Sequence, residues 1–465
     1  MRKYVLIAVL GIFSFLSASV SSLSTQTSLS AFKVAGKSTG TLNLSFQLPS
    51  YEFSSEQLDG KSYSRIKMAD SGVTRDIGLP ELPVLSTMVA IPATGSVRVE
   101  TVNEQLIVIP GYEAYPFQDD EEYGSPKNLS MDREFYLRGS SYPENVVRFS
   151  DPQIIRGIRV ITVQVSPFSY NPVTKELQVR RSLDLRVSFV NDRGTNELRS
   201  EPDRISSAFA NLLQARIVNF DDYRGIVTAN TPPRILILYG ESTDTNFTDP
   251  LNAFAKWKKQ KGAEVDMVSF TSTATTATVK AEIQSRYNNA ASRPDFVIII
   301  GDTNGNFPIP TFTETYSSYG GEGDYPYTHL DGTDTLGDCF LGRISVENAD
   351  QFRSMITKTL LYERDVNIST AAWLNRMLLV GDWDPSGIST IYINKYIKEY
   401  ALDINPDYTF TELYGSQPSA TSMNASLSMG VGIFNYRGWL GMSGWNPSSS
   451  RSEERRVGKE CRSRW

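Results

Sequence analysis

Residues 431–445 read VGIFNYRGWLGMSGW, and this stretch indicates how the second half of the chain is built. Its apolar start, from Val431 to Phe434, is typical of a buried strand. The glycines that follow, each next to a large side chain, are typical of a tight loop. In α/β proteins such loops lie at the carboxyl edge of a sheet, where binding and catalytic sites are built. We therefore expect a site-forming loop directly after Tyr436.

Strands and helices alternate upstream of this stretch, from Arg234 onward. Short continuous apolar runs, such as ILILY, are typical of strands buried on both faces. Helical segments separate these runs, which predicts parallel sheets with right-handed crossovers. We expect two α/β subdomains, over 230–370 and 371–450, the second of them incomplete. The predicted strands are 235–239, 264–270, 296–300, 339–344, 377–380 and 431–436, and the predicted helices are 249–261, 276–289, 345–363 and 388–402.

Residues 23–229 have the pattern of an all-β, sandwich-like domain that ends in a mixed connector. GTLNLSFQL, for example, alternates apolar and polar residues as a strand with one buried face does. A hairpin is predicted around Asn171-Pro172, because both residues favour turns. The predicted segments are a strand at 40–48, hairpin strands at 156–168 and 176–190, and a short helix within 204–218. The hairpin's apolar faces carry Ile161, Val163 and Val165 on one strand and Leu183, Leu185 and Val187 on the other.

The first 22 residues have the three parts of a secretory signal peptide. A basic start (Met1–Lys3) precedes a thirteen-residue apolar region at 4–16 and small residues at 17–22. The apolar run is too short to span a bilayer, and no later run approaches the roughly 18 residues that a spanning helix needs. We therefore expect a protein that is secreted or held at the cell surface, with no membrane span after signal cleavage.

Charge and residue usage exclude several classes of site. The net charge of −6 gives no reason to expect nucleic-acid binding. The two cysteines, Cys339 and Cys461, are too few for a disulfide framework or a zinc site. The single histidine is His329, so a mechanism that needs an imidazole within this sequence must use it.

The last fifteen residues, 451–465, differ sharply in composition from what precedes them. They read RSEERRVGKECRSRW, with six basic residues and three glutamates after a neutral Ser/Gly/Pro stretch. This segment resembles the translation of a widely used sequencing adapter. We predict that it is an artefact and exclude it, with Cys461, from the reasoning about fold and chemistry.

Several segments together resemble the gingipain-type cysteine peptidases, a family of secreted bacterial proteins. GLPELPVLSTMVAIP (78–92) and RVITVQVSPFSYNPVTKELQV (159–179) are similar to the family's propeptide domain. TPPRILILYG (231–240) resembles the start of its catalytic domain. The segments that resemble later parts are PDFVIIIGD (294–302), DYPYTHLDGTDTLGDCFLGRISVENADQF (324–352) and GVGIFNYRG (430–438).

This resemblance implies a caspase-like α/β fold in two subdomains behind an N-terminal β-domain. The β-domain would be the chain's own propeptide and act as an intramolecular inhibitor. The activity implied is hydrolysis of peptide bonds in a protein or peptide substrate by a Cys–His dyad, with no cofactor required. Cysteine is a strong nucleophile as thiolate, and a neighbouring imidazole takes its proton and later protonates the leaving amine.

The expected dyad is not found in this sequence. The family's loop typically reads Asn-Tyr-x-Gly-His-Gly, and the matching residues here begin at Asn435 and place Trp439 where the histidine is expected. Tryptophan cannot accept a proton at neutral pH. The family's nucleophilic cysteine lies on the next strand, beyond the end of this chain. We therefore identify no catalytic residue and expect an inactive fragment, with a non-catalytic secreted surface or binding protein as the alternative. The site-loop candidates are Asn435, Tyr436, Gly438, Trp439 and Asp382.

Other chemistry-bearing residues allow two interpretations each. Cys339 is a catalytic thiol or a buried structural cysteine, and His329 is a base or metal ligand or an ordinary loop residue. Asp302 and Asp382 each follow a buried strand and a glycine, where a carboxylate can orient an imidazole, bind substrate or cap a turn. Four aspartates lie around Gly332 and Gly337. They are interpreted either as calcium ligands in a loop or as turn and cap residues. These candidate ligands of a structural calcium ion are Asp324, Asp331, Asp334 and Asp338.

Overall fold

A computed structural model describes most of the chain after the predicted signal peptide. The described residues are 31–118, 130–198, 202, 204–228, 232–316, 319–367, 370–381, 389–415, 417–437, 440–441 and 444–445. The larger sheets are antiparallel in the N-terminal half and parallel in the C-terminal half, which confirms the predicted order of a β-domain followed by an α/β domain.

The β-domain contains two five-stranded antiparallel sheets. In one, β1-β2-β12-β11 lie in that order and β7 pairs with β12; in the other, β5-β6-β10-β8 lie in that order and β9 pairs with β10. The described residues of this domain also form a separate hairpin, β3–β4, and a short helix, α1. The bounds are β1 Phe32–Ser38, β2 Thr41–Gln47, β3 Glu52–Leu58, β4 Lys61–Lys67, β5 Gly72–Val73, β6 Pro83–Ala90, β7 Ser96–Ile109, α1 Arg133–Arg138, β8 Val147–Phe149, β9 Gln153–Ile155, β10 Ile158–Val165, β11 Phe168–Asn171 and β12 Glu176–Val190.

The core of this domain lies between the two sheets, as the predicted sandwich requires. Alternate residues of β2 and β12 point inward from one sheet and meet alternate residues of β6 and β10 from the other. The buried cluster includes Leu42, Leu44, Phe46, Leu85, Val89, Ile161, Val163, Val165, Leu183, Leu185 and Val187.

The predicted long hairpin at 156–190 is wrong in its first strand. The chain leaves one sheet after β10 and enters the other at β11, so that only β11 pairs with β12 across the Asn171 turn. Pro167 lies at this change of sheet, where it donates no ladder hydrogen bond and its carbonyl accepts one from Arg180 N. The apolar faces of β10 and β12 therefore meet across the sandwich instead of lying side by side in one sheet.

The connector carries the short helix that the sequence predicts. Helix α2 is Ser207–Gln214 and lies between two short parallel strands, β13 Ile205–Ser206 and β14 Val227–Thr228. Phe209 and Leu213 of α2 are buried against Ile158 and Val160 of β10. The connector therefore packs on the outer face of the second sheet of the β-domain.

The first α/β subdomain is built on a parallel sheet with the order β16-β15-β17-β20. Helices α3 and α5 cover one face, and α4 covers the other. A two-stranded antiparallel ribbon, β18–β19, precedes β20. The bounds are β15 Arg234–Gly240, α3 Thr245–Gln260, β16 Glu264–Phe270, α4 Thr276–Asn288, β17 Phe296–Ile300, β18 Phe312–Tyr316, β19 Tyr319–Gly323, β20 Phe340–Ile344 and α5 Ala349–Glu363.

Two predicted helix starts are wrong, and capping explains both. Helix α3 begins four residues earlier than predicted, because Asp244 accepts a hydrogen bond from Asn246 N and Pro250 is tolerated inside the helix. Helix α5 begins four residues later, because the side chain of Asn348 caps it by accepting from Gln351 N. The predicted helix end at Gly262 agrees with its positive φ of 91°.

The second α/β subdomain has a parallel sheet with the order β22-β21-β23. Strand β22 and helix α7 are additional to the predicted elements. Among the described residues, no helix is long and apolar enough to cross a membrane. The bounds are β21 Arg376–Gly381, α6 Ser389–Ile404, β22 Thr409–Tyr414, α7 Ala420–Ser428, β23 Ile433–Arg437, β24 Leu440–Gly441 and β25 Gly444–Trp445.

Candidate functional site

The carboxyl ends of β21 and β23 lie side by side in the second subdomain. The two strands are parallel, and Gly381 is paired with Arg437 at their ends. Asn435 and Tyr436 lie near the carboxyl end of β23 and are partly buried. The predicted loop therefore starts at the sheet edge where α/β proteins build their sites. The other candidates of this loop, Gly438, Trp439 and Asp382, lie outside the described residues.

A buried asparagine on α6 fixes the end of this strand pair. The Asn394 side chain is fully buried; its Nδ2 donates to the carbonyl oxygens of Val380 at 3.0 Å and Thr390 at 2.7 Å. Its Oδ1 accepts a hydrogen bond from Asn435 Nδ2 at 2.8 Å. One amide group thus joins β21, β23 and the start of α6. A buried amide with these bonds satisfied is held in one orientation.

Asn394 was missed by the sequence reasoning. The available signal was its position on the apolar face of the predicted helix, where it shares a side with the buried Thr390 and Ala401. A lone asparagine on a buried helix face requires hydrogen-bond partners from another element. That requirement points to a polar contact under the sheet edge, although not to which strand provides it.

Close backbone approaches also shape this region. A Cβ atom on Gly432 would lie 2.2 Å from Leu374 O, and one on Gly381 would lie 3.0 Å from Thr390 O. Neither distance leaves room for a side chain without a shift of backbone. The glycines at the start of β23 and the end of β21 therefore allow the neighbouring segments to pack against the strands that lead to the site edge.

Cys339 directly precedes β20 in the first subdomain, among the side chains that cover one face of its sheet. It is 5% exposed, and burial raises the pKa of its thiol to about 12. A thiol in this environment is protonated at neutral pH and is a poor nucleophile. The structural interpretation of Cys339 is the one that its surroundings support.

His329 follows a short 3-10 helix at Tyr325–Thr328. Its ring packs edge-on against the Tyr325 ring, with centroids 4.7 Å apart. The backbone N–H of His329 donates to Pro326 O at 3.4 Å. These contacts place the imidazole in a loop of the first subdomain. The edge formed by β21 and β23 belongs to the sheet of the second subdomain.

Asp302 and Asp324 have structural partners at the carboxyl edge of the first sheet. Asp302 Oδ1 accepts from Thr303 N at 2.7 Å, and its Oδ2 accepts from Ser345 Oγ at 2.9 Å. Asp324 accepts two hydrogen bonds from the Arg343 guanidinium, both at 2.7 Å. Such a bidentate pair is directional and fixes both side chains.

The remaining acidic candidates accept hydrogen bonds from two different directions. Asp331 Oδ2 accepts from Tyr287 Oη at 2.7 Å, within the α/β subdomain. Asp334 and Asp338 instead accept from backbone N–H groups of the β-domain, from Ile154 at 2.8 Å and from Arg156 at 2.8 Å. The four candidate calcium ligands therefore have separate protein partners.

Asp338 is the most buried of these carboxyl groups. Besides Arg156 N, it accepts hydrogen bonds at Oδ2 from Leu330 N at 2.9 Å and Asp331 N at 2.8 Å. Burial raises the pKa of Asp338 to about 7, because three N–H donors only partly replace the lost water. In the part of the chain that the structure describes, no group of three or more His, Cys, Asp or Glu side chains is arranged to hold a metal ion. A structural calcium ion at the four aspartates stays a prediction.

Two family profiles match the chain in the order that its two domains take. The C25 propeptide profile matches residues 30–227, and the profile of peptidase family C25 matches residues 228–459. The chain belongs to peptidase family C25. These are the gingipain-like cysteine peptidases with a propeptide and a caspase-like domain, which confirms the resemblance found in the sequence.

The chain is similar to curated C25 peptidases of Porphyromonas gingivalis. It is 26% identical to Lys-gingipain HG66 over 438 residues, which are 88% of this chain and 24% of the relative. It is 23% identical to gingipain R2 over 422 residues, which are 87% of this chain and 54% of the relative. The chain thus spans about a quarter to about half the length of these relatives.

A solved complex of the RgpB pro- and mature domains from Porphyromonas gingivalis also matches. It covers 41% of this chain and 98% of the matched chain at 20% identity, with a TM-score of 0.37. The assignment to family C25 rests on the two family profiles and not on this superposition.

Proposed function

We propose that this chain is part of the precursor of a secreted cysteine endopeptidase of the gingipain type, and that its β-domain is the propeptide. The observation that carries the proposal is the succession of the C25 propeptide and C25 peptidase profiles along one chain. The arrangement of β21 and β23 supports it, since their carboxyl ends meet where the family's catalytic loop is expected.

The reaction expected of the complete enzyme is covalent hydrolysis of a peptide bond. A cysteine thiolate attacks the carbonyl carbon, and the resulting tetrahedral intermediate expels the amine, which takes a proton from the imidazolium. Water, activated by the same imidazole, then hydrolyses the thioester. Backbone N–H groups in the glycine-rich loop after Tyr436 would stabilise the oxyanion in both steps.

We further propose that the 465-residue chain itself does not cleave peptides. Trp439 occupies the position of the family's histidine, and an indole cannot act as a base. Cys339 is buried, its thiol pKa is raised to about 12, and it belongs to the other subdomain. His329 packs on Tyr325 in a loop of that same subdomain.

A cleavage assay on the purified chain tests the lack of activity. The parent and a Cys339→Ala variant are incubated with a protein substrate and with a fluorogenic peptide library. We expect both to give the background rate. Proteolysis by the parent that is lost in Cys339→Ala would overturn this proposal and make Cys339 the nucleophile. Proteolysis that persists in both would exclude Cys339 as its nucleophile, and inhibitors of the serine, cysteine, aspartic and metallopeptidase classes would then identify the type of enzyme responsible.

A second candidate function is a secreted surface or binding protein that keeps the peptidase fold without catalysis. Trp439 favours it, because the tryptophan is a substitution within the expected catalytic loop. Sequencing the gene beyond the codon for Ser450, where the predicted adapter segment begins, distinguishes the two functions. A cysteine on a further strand, together with a histidine able to reach it, supports the enzyme. The lack of both supports the binding protein.

Export is part of the same proposal. The basic start, apolar run and small residues of the first 22 positions support a signal peptide. Expression of the full chain in a bacterium that exports proteins, followed by N-terminal sequencing of the product, tests it. We expect a new N-terminus close to residue 23, and an intact Met1 would contradict export by this route.

A further inference from the structure

A tight turn of the β-domain reaches into the first α/β subdomain. The turn joins β9 to β10, and its two central residues, Arg156 and Gly157, have φ values of 54° and 75°. Two successive positive φ angles define the type I′ geometry that suits a two-residue hairpin. Arginine rarely adopts this conformation, so the surrounding contacts must compensate for its cost.

The Arg156 guanidinium is enclosed by acceptors of the α/β subdomain. Nη1 donates to Pro294 O at 2.5 Å and to Asp338 O at 3.0 Å, and Nη2 donates to Asp295 Oδ1 at 2.6 Å. The arginine and aspartate side chains are 6% and 1% exposed. A charged pair with little water around it and good hydrogen-bond geometry depends strongly on both partners.

Aromatic rings complete the arginine pocket. The guanidinium carbon lies 4.7 Å from the centroid of the Phe209 ring of α2 and 5.5 Å from that of the Tyr287 ring of α4. Phe209 in turn stacks on Phe340 at the start of β20, with centroids 4.5 Å apart. The pocket is therefore closed from both domains, and cation–π attraction adds to the hydrogen bonds.

The acidic loop at residues 331–338 holds the strand next to this turn. Asp334 and Asp338 accept from the N–H groups of Ile154 and Arg156, as described above. Thr333 N and Oγ1 both donate to Asn196 Oδ1 of the β-domain at 3.1 Å. The loop that the sequence marked as a candidate calcium site thus provides acceptors and donors for the β-domain backbone and side chains.

This contact lies at the amino edge of the first sheet. Asp295 directly precedes β17, and its Oδ2 accepts from the N–H of Arg234, the first residue of β15, at 3.0 Å. Sites in α/β folds form at the opposite, carboxyl edge. The arginine pocket can therefore hold the β-domain without occupying a carboxyl-edge site.

We propose that the pocket formed by Asp295, Pro294, Tyr287 and the 331–338 loop is a receptor for the Arg156 turn and the principal anchor between the two domains. It keeps the β-domain attached after the connector is cut. The inference rests on the proposed function only in treating the β-domain as a propeptide that is separated from the α/β domain by cleavage. Arginine is prominent among residues that dominate interfaces, because its fork saturates several acceptors at once.

A cut-chain experiment on the full-length protein tests the anchor. A recognition sequence for a site-specific protease is inserted between Thr228 and Pro232, the chain is cut, and the association of the two parts is measured by size-exclusion chromatography and sedimentation. We expect the parts of the parent to migrate together. With Arg156→Ala they should separate, with a dissociation constant raised roughly a hundredfold or more.

Three further variants keep the test decisive. Arg186→Ala, an exposed arginine on β12, is the matched control and should behave as the parent. Arg156→Lys keeps the charge but not the fork and should be intermediate, and Asp295→Asn should weaken association from the other side. Circular dichroism of the uncut variants checks that both domains are folded. If the Arg156→Ala variant fails to fold, the dissociation constants measured for Asp295→Asn and Arg156→Lys decide whether the arginine pocket is the anchor.

Two results would overturn the proposal. One is separation of the parent's parts after cutting, and the other is parent-like association in folded Arg156→Ala. Neither depends on peptidase activity, because the cut is made by an added protease. Failure of the anchor is therefore distinguishable from failure of the proposed enzymatic function, which the cleavage assay reports.

Discussion

Asn394 and Asn435 join a helix to the strand that leads into the expected catalytic loop. Their side chains share one hydrogen bond, Nδ2 of Asn435 to Oδ1 of Asn394 at 2.8 Å, and Asn394 also holds the end of β21 through Val380 O. The pair sets the relative position of two strand ends at the sheet edge. The expected catalytic loop begins at this edge, so Asn394 holds in place the strand ends from which that loop would start.

Replacing Asn394 should loosen this edge. Asn394→Ala leaves the Asn435 amide and the Val380 carbonyl without these partners, which should cost about 1–3 kcal/mol of unfolding free energy. Urea denaturation measures the loss, and hydrogen exchange should place it in β21 and β23. Glu399→Ala, at an exposed position on the same helix, is the control and should change stability by less than about 0.5 kcal/mol. Equal effects of the two substitutions would contradict the role of Asn394.

Two glycines of the first sheet should respond oppositely to alanine. A Cβ on Gly240 would lie 2.3 Å from Phe307 O, whereas a Cβ on Gly342 would meet nothing within 4 Å. Gly240→Ala should therefore destabilise the domain by about 1–3 kcal/mol through overpacking. Gly342→Ala should be neutral or stabilising by up to about 1 kcal/mol, since glycine is unfavourable within a strand. Thermal unfolding of both variants checks the pair, and a stable Gly240→Ala would show that the 307 segment gives way.

Cys339 should be chemically silent in the folded protein. Burial raises its thiol pKa to about 12, so little thiolate is present at pH 8. We expect iodoacetamide to alkylate Cys339 at least about a hundredfold more slowly in the native protein than in denaturant. Peptide mapping by mass spectrometry follows this residue separately from Cys461. Rapid native alkylation would instead indicate an accessible thiol and revive its interpretation as a nucleophile.

Asp338 should make stability fall as pH rises toward neutrality. Its pKa is raised to about 7 in the folded chain, chiefly by burial, above the ordinary 3.8. The native state therefore binds the extra proton between these values, and the stability that this group contributes is complete below about pH 4 and lost as pH rises through 7. Relative to Asp338→Asn, the parent should lose up to about 1.4 kcal/mol per pH unit in this window. Urea midpoints at four pH values measure the difference, and parallel curves would refute the shift.

Glu363 should act in the opposite direction on the acid side. Partial burial acts to raise its pKa, but hydrogen bonds from Lys258 and Trp257 of α3, and from Lys261 directly after the helix, outweigh burial and lower the pKa to about 2. Its stabilising contribution is therefore present above its ordinary value of 4.5 and lost as pH falls through about 2. Glu363→Gln should be less stable than the parent at pH 7 and approach it below pH 3. Glu241→Gln, at an exposed position, is the control, and a pH-independent deficit in Glu363→Gln would contradict this assignment.

The periodicity of the sequence predicted most elements, because each depends on neighbours along the chain. The strand predicted at 296–300 and the helix predicted at 276–289 are observed at Phe296–Ile300 and Thr276–Asn288. The structure adds a local capping box at the start of the helix, between Thr275 and Thr278. The pairing of strands within the sheets could not be predicted from the periodicity. Residues 158–165 have the pattern of a hairpin strand, but which sheet they join depends on the geometry at Pro167 and on distant strands.

For the candidate site, too, some features follow from the sequence and others only from the tertiary structure. The sequence by itself determined the family, the order of its domains and the presence of Trp439 where a histidine is expected, because these are properties of residue identity and order. Only the tertiary structure decided that Asn394 supports the site edge and that Cys339 is buried. It also decided that Asp334 and Asp338 accept hydrogen bonds from the backbone of the β-domain. Hydrogen-bond partners and burial depend on segments that are far apart in the chain. Residue type alone therefore does not predict which carboxylate oxygen accepts from which N–H group.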